Sequence, residues 1–309
     1  MIVRKERNLL ANPSSWRQVL SRFTDKHILL LLLLPSFIVL FLLTVFPLLW
    51  AFWLSFTDYN LSIPESGRFV GLQTYYYVFT NPSFVVALLN TFYLVAAILV
   101  SETLLGLLLA LLLARDFHGQ RLMRVLFMIP MMTTPIVVAL TWRMLFNVRF
   151  GYVDYFLGFL GVPQLEWLGH PVRAMLALII SDIWVGTSEM TILLLAGLVS
   201  LPEEPFEASL IDGASALQRF RNITLPLMRP VMAMAIMFRA VDAFRKFESI
   251  QIMTGGGPGE ATTTINFLIF DTGFRFSRLA DASVQAVVLV VLMLVVVSIC
   301  VRVYSTSVS

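Results

Sequence analysis

FVVALLNTFYLVAAILVSETLLGLLLALLL, Phe84–Leu113, is thirty residues long and holds one charged side chain, Glu102. A helix rises about 1.5 Å per residue, so this stretch exceeds the roughly 30 Å hydrocarbon thickness of a bilayer. An uninterrupted helix also satisfies its own backbone polar groups, as lipid requires. The segment therefore reads as a membrane span, and composition extends that reading to the whole chain. Of 309 residues, 58% are hydrophobic, and the mean hydropathy is +0.84. A water-soluble core does not absorb that much apolar surface.

Working outward from Phe84–Leu113, six segments are long and apolar enough to cross: Ile28–Leu54, Phe84–Leu113, Leu122–Phe146, Ala174–Val199, Leu227–Phe247 and Ala282–Val303. The expected fold is all-α, a polytopic membrane protein with six transmembrane helices. The first apolar segment is about twice a signal-peptide core and no small-residue cleavage site follows it, so it reads as a span that stays. Pro35 and Pro47 are expected to kink or locally break it. Residues 1–27 form an expected cytoplasmic segment, 28–303 the membrane domain, and 304–309 a cytoplasmic tail.

Orientation follows from basic residues flanking the spans. Thirteen fall on one side: Arg4, Lys5, Arg7, Arg17, Arg22, Lys26, Arg115, Arg121, Arg124, Arg219, Arg221, Arg229 and Arg302. Five fall on the other: Arg68, Arg149, Arg173, Arg275 and Arg278. Both termini are thus expected in the cytoplasm, with the chain in the inner membrane. The pI near 9.2 reflects this topology, because the cations flank spans and form no patch for nucleic acid.

The inventory of reactive groups points away from an enzyme. His27, His118 and His170 lie at span ends or in loops, so no paired histidines are available to a membrane haem. The single Cys300 excludes an internal disulfide and a cysteine metal cluster. No GxxxxGK[ST] sequence occurs, and TGGGPGE, Thr254–Glu260, lacks the lysine of a phosphate loop. A tight external turn suits that glycine-rich stretch better, its glycines taking positive φ.

The most polar interruption is LPEEPFEASLIDGASALQRFRNITLPLMRP, Leu201–Pro230. Ser200 and Glu203 have capping-box spacing with proline in the first turn, which predicts a helix over 201–211. Gly213 is placed to end it in a left-handed conformation, and Ser215 with Gln218 starts a second short helix toward Asn222. The product is a helix–turn–helix knuckle on the cytoplasmic side, with an apolar ridge of Phe206, Leu210, Leu217 and Phe220 beside Glu207 and Asp212. An amphipathic loop lying on lipid headgroups is the alternative. Its first helix carries only acids, however, whereas interfacial helices favour a basic polar face.

Within this stretch, EASLIDGASALQRFRNITLP resembles the EAA signature of permease subunits of ATP-binding-cassette importers: EAA, three residues, Gly, nine residues, Ile-x-Leu-Pro. Glu207, Ala208, Asp212, Gly213, Ile223, Leu225 and Pro226 match it, and Ser209 replaces the second alanine. FVGLQTYYYVFTNPSF, RLMRVLFMIPMMTTPIVVALTWRMLF, EWLGHPVRAMLALIISDIW and IMTGGGPGEATTTINFLIF resemble the carbohydrate-uptake, MalF-like branch. RFSRLADASVQ departs from the Gly-x-Ala-Ser-Ala pattern often found before its last span. The resemblance implies a type I importer permease of MetI-like fold that moves a sugar, sugar derivative or polyol. It also implies that residues 200–226 form a coupling loop, in which Glu207, Ala208, Ser209, Asp212 and Gly213 engage an ATPase. The chain would bind no cofactor, with ATP and Mg on the ATPase. Implied partners are a second permease subunit, two ATPase copies and an external solute-binding protein.

Charges inside spans are costly and usually face a cavity or a partner. Arg239, Asp242 and Lys246 share a stripe of the fifth span, with Arg245 beside it. The resemblance places the translocation path along this span and family sugar contacts near Asp242, Phe244 and Arg245. Structural pairing of Asp242 with Arg239 or Lys246 is the competing reading. Asp182 and Glu189 share a face of the fourth span and are candidates for the same cavity or for helix pairing. Glu102 and Asn90 read as interhelical hydrogen bonds. Trp142 and Trp184 read as packing or interface anchors. An ion-coupled secondary transporter using Asp182, Glu189 and Asp242 is the rival class; the knuckle and the lack of a visible repeat argue against it.

Overall fold

The computed structural model describes residues 33–308, with side chains through residue 302. The expected 1–27 segment and the start of the first span lie outside the described residues. Two units are distinguished, one ending at Trp53 and one beginning at Leu54. Helix α1, Leu33–Leu54, makes up the described part of the first and ends on the first residue of the second. A π-turn at Phe41–Val45 interrupts it just before Pro47. Proline has no N–H for the carbonyl four residues back, so the ladder is re-spaced there. This is the local break expected at Pro47.

The second unit is built on four long helices: α3 (Pro82–Leu113), α7 (Pro171–Val199), α9 (Ala216–Phe244) and α11 (Leu279–Val308). Shorter helices fill the gaps: α2 (Gln73–Thr80), α4 (Gln120–Met128), α5 (Pro135–Leu145), α6 (Tyr152–Gly158), α8 (Glu204–Ile211) and α10 (Ile265–Phe270). Among the described residues the β-structure is one isolated bridge, Thr57 to Phe69. Local chemistry sets several boundaries. The Asn81 side chain accepts from the Ser83 N–H at 3.0 Å, and Pro82 follows at the first helical position of α3. His170 is extended before Pro171 opens α7, as the proline ring demands of its predecessor.

Among the described residues five helices are long and apolar enough to cross a membrane, six if the bent pair α4 and α5 counts as one span. Here the expected continuous helix over 122–146 is corrected. The chain turns by 95° between Met132 and Pro135. Pro130 opens a single 3-10 turn, and Pro135 drives Thr134 to ψ 142°, outside the helical region.

Helices α3, α7 and α9 pack around two apolar layers. One contains Leu94, Ile98, Leu178, Phe244, Ile250 and Ile265. The other contains Leu107, Leu113, Met190, Leu194, Met228 and Ala235. Backbones approach closely at Gly106 of α3, where an added Cβ would lie 2.7 Å from Met190 Cγ. Between the two layers, at the level of Glu102, Gly186 and Arg239, the interior turns polar.

Candidate functional site

Helices α3, α7 and α9 contribute to that polar level. Arg239, from α9, is 2% exposed. Its Nε and Nη2 donate to Glu102 Oε2 and Oε1 of α3 at 2.9 and 2.8 Å, a two-pronged pairing that fixes direction as well as distance. Its Nη1 donates to Glu189 Oε2 of α7 at 3.1 Å and to Asp242 Oδ2 at 2.9 Å. Asp182 Oδ2 stands 3.6 Å from Nη2. Lys246 completes the set, 2.5 Å from Asp182 Oδ1 and 3.5 Å from Asp242 Oδ2. Both structural pairings weighed from the sequence exist, inside a larger network. Glu102 pairs between helices as expected, through a salt bridge.

This network forms one wall of a cavity of about 720 Å³. Glu189, Arg239, Asp242, Arg245 and Lys246 line it, with Phe238, Glu248 and Ser249. Met131, Thr133 and Pro135 line it too, so the broken backbone between α4 and α5 opens onto this space. Irregular backbone at membrane depth is tolerated where it borders such a cavity. The half-exposed carboxylates of Glu189 and Asp242 face the space, while Glu102 and Asp182 stand behind the wall at 0% and 6% exposure. Chemically the wall offers carboxylate oxygens and a guanidinium, which suit a polyhydroxylated solute.

Two sequence candidates are corrected. Phe244 does not line the cavity; it is buried in the apolar layer, edge-on to Phe92 with ring centroids 6.0 Å apart. Ser209, proposed as a docking residue, is buried and donates to Phe206 O at 2.7 Å, holding α8 together from within. Asn90 is also redirected. Its Nδ2 donates to the carbonyls of Glu260 and Thr263 at 2.9 and 3.0 Å, tying α3 to the glycine-rich turn instead of to another helix. Trp142 packs as expected, against Phe146 and Trp184.

The second candidate region is the knuckle. Helix α8 begins at Glu204, three residues later than predicted from 201. Ser200 provides no cap for it; its hydroxyl donates back to Gly197 O at 2.8 Å and closes α7 instead. Gly213 takes φ +73°, and Ala214 N donates to Ser209 O at 2.9 Å, the left-handed helix ending expected there. Ser215 and Gln218 form the reciprocal capping box. The helix they start does not stop near Asn222. It passes through a π-turn at Phe220–Thr224 and continues as α9 to Phe244. Glu207, Ala208, Asp212 and Gly213 are exposed. The expected apolar ridge divides: Phe206 and Phe220 are half-buried, while Leu210, Ile211 and Leu217 are 59%, 88% and 73% exposed. Ile211, absent from the predicted ridge, is the most prominent of them.

The residue that sequence reasoning missed is Gly186. It sits on α7 four residues after Asp182 and three before Glu189, a spacing that puts it on their face. An added Cβ would lie 1.8 Å from Glu102 Oε1 and 2.3 Å from Arg239 Nη2.

An all-helical membrane subunit with a charged internal cavity and a turned polar knuckle defines a permease component. The profile of the family described as "Binding-protein-dependent transport system inner membrane component" matches residues 102–308, and the chain belongs to that family. It is 38% identical to the trehalose/maltose transport system permease protein MalF of Thermococcus litoralis, over 87% of this chain and 89% of that protein. It is 33% identical to the sulfoquinovosyl glycerol transport system permease protein SmoG of Agrobacterium fabrum, over 91% of this chain and 92% of that one. The fold matches a chain in the crystal structure of a bacterial ABC transporter involved in the import of the acidic polysaccharide alginate, with TM-score 0.81 and 21% identity. That match covers 94% of this chain and 99% of the other. The expected fold class and family both hold.

Proposed function

We propose that the chain is the membrane subunit of an ATP-driven importer that moves a sugar, sugar derivative or polyol inward by alternating access. ATP hydrolysis resides on separate ATPase subunits, which carry the ATP and Mg. One observation carries the reading: the second helix of the exposed knuckle and the cavity wall are parts of one helix, α9, whose start carries the capping box and whose end carries Arg239 and Asp242. Glu207, Ala208, Asp212 and Gly213 present the knuckle to a groove on the ATPase, into which Leu210, Ile211 and Leu217 insert. Exposed apolar side chains clustered beside acids suit a protein cleft better than an anionic lipid surface. Inside, Glu189, Asp242 and Arg245 contact the substrate hydroxyls. A second permease subunit and an external solute-binding protein complete the assembly.

Both termini face the cytoplasm of the inner membrane in this reading, and Thr254–Glu260 faces outside and contacts the binding protein. An impermeant thiol reagent should label a cysteine placed at Gly257, in a Cys300-replaced chain, from the outside. Names of the relatives support a sugar substrate, and the polar cavity wall agrees. The test is uptake of radiolabelled trehalose or maltose by proteoliposomes holding the complete importer. Uptake that vanadate abolishes and protonophores leave intact is expected. Uptake that follows a proton or sodium gradient without ATP would transfer the protein to the ion-coupled class.

A further inference from the structure

Gly186 of α7 lacks a side chain at a place where none fits. The notch it leaves lets the Glu102 carboxylate of α3 reach the Arg239 guanidinium of α9 in two parallel hydrogen bonds, with both partners closed to solvent. The remaining Nη1 of Arg239 grips Glu189 of α7, so one guanidinium fastens α9 to two neighbours. Elsewhere along Leu225–Phe244 of α9 the buried residues are Met228, Ala233, Ala235, Ala240, Ala243 and Phe244. Four of these six are alanines, and apolar contact is non-directional, so it sets no single stop against sliding. A directional charge pair resists it far better.

The other end of α9 is the second helix of the knuckle. At about 1.5 Å per residue, Arg239 lies some 35 Å along the helix from Ala216. Movement imposed on the knuckle reaches the cavity as a displacement of neighbouring walls only if α9 is fastened to α3 and α7 at cavity level. We propose that Gly186, Glu102 and Arg239 are positioning residues of the transport cycle: the Gly186 notch admits a Glu102–Arg239 clamp that makes α3, α7 and α9 move together when the knuckle is pushed. The proposal rests on the coupling role given to the knuckle above.

The test uses the complete importer in nanodiscs, with Cys300 replaced and nitroxide labels at Thr133 and Ser249 on the cavity lining. Pulsed electron resonance reads the distance between them before and after trapping with ATP and vanadate. In the parent protein trapping should shift this distance. In Gly186→Ala, vanadate trapping should proceed to the same extent while the shift falls to less than a third. Glu102→Asp retracts the carboxylate by one methylene and makes room for the new methyl group. The double variant Gly186→Ala/Glu102→Asp should therefore recover more than half of the shift and exceed either single variant, a coupling that independent sites do not show. A full shift in Gly186→Ala overturns the proposal, as does a double variant that moves no better than the single one. If Gly186→Ala alone does not assemble, a double variant that assembles and shifts supports the notch, and one that does neither overturns it. Absence of any shift in the parent would instead refute the coupling role of the knuckle.

Discussion

The knuckle and the buried ionic level are joined by one helix, α9, and are specified in opposite ways. At the knuckle the hydrogen bonds are local. Gly213 turns the chain, Ser209 and Phe206 bond three residues apart, and Ser215 and Gln218 cap each other. The tip residue Ile211 is 88% exposed and contributes little to this fold. At the ionic level the Glu102–Arg239 pair joins residues 137 positions apart, and burial leaves each charge dependent on its partners. The contrast teaches where function can be changed without loss of structure. A surface that holds itself together locally leaves its outer side chains free for a partner. A buried charge network binds structure and mechanism into one set of atoms.

The largest expected effect breaks the buried side of the comparison. Arg239→Met leaves the buried Glu102 carboxylate without its cation, and removing one member of a buried pair costs about 3–5 kcal/mol. Yield and thermal stability of the purified chain in detergent should collapse, and Glu102→Gln added to Arg239→Met should restore part of both. Equal stability of Arg239→Met and the parent would show that the level is not held by charge.

A middle effect is expected where the network meets the cavity. Asp242 is 54% exposed, and both of its cations keep other carboxylates: Arg239 retains Glu102 and Glu189, and Lys246 retains Asp182. Asp242→Asn should therefore cost no more than about 1 kcal/mol of stability, as exposed pairs do. Sugar uptake by the reconstituted importer should fall several-fold while basal ATP hydrolysis survives. A stable variant with unchanged uptake would remove Asp242 from the substrate path.

On stability, the smallest effect belongs to the knuckle. Ile211→Ser should leave the melting behaviour of the isolated subunit within about 0.5 kcal/mol of the parent, as surface substitutions do. Affinity for the ATPase, measured by surface-immobilised binding, should nevertheless drop by about tenfold, the equivalent of 1.4 kcal/mol of lost apolar contact. Unchanged affinity would return Ile211 to the status of an ordinary exposed side chain.

The same contrast explains what could be read from the sequence. Length and hydropathy gave the spans, because backbone satisfaction in lipid leaves few alternatives. The left-handed turn at Gly213 and the box at Ser215 and Gln218 were legible because both are sequence-local. Ser200 misled because a hydroxyl between two helices can serve either end, and here it closes α7. The break between α4 and α5 was signalled by the prolines of IPMMTTP but masked by the apolar run around them. The charges of α9 announced themselves as costly, and both of their nearest pairings were foreseeable from helical spacing. Their joining to Glu102 through the notch at Gly186 was not, because it depends on the packing of three helices distant in sequence. Phe244 shows the same limit: one stripe of α9 faces the cavity, and the neighbouring residue turns into the apolar layer.

The coupling role of the knuckle is tested most directly by Gly213→Val. At φ +73° a β-branched residue is strongly disfavoured, yet no atom lies within 4 Å of the Cβ it would add. The substitution therefore strains the turn without disturbing any neighbour. With the complete importer in proteoliposomes, ATP hydrolysis is measured with and without sugar-loaded binding protein. Membrane insertion and the cavity should be retained while sugar-stimulated hydrolysis and assembly with the ATPase fall together. Normal stimulated hydrolysis in Gly213→Val would contradict the coupling role of the knuckle.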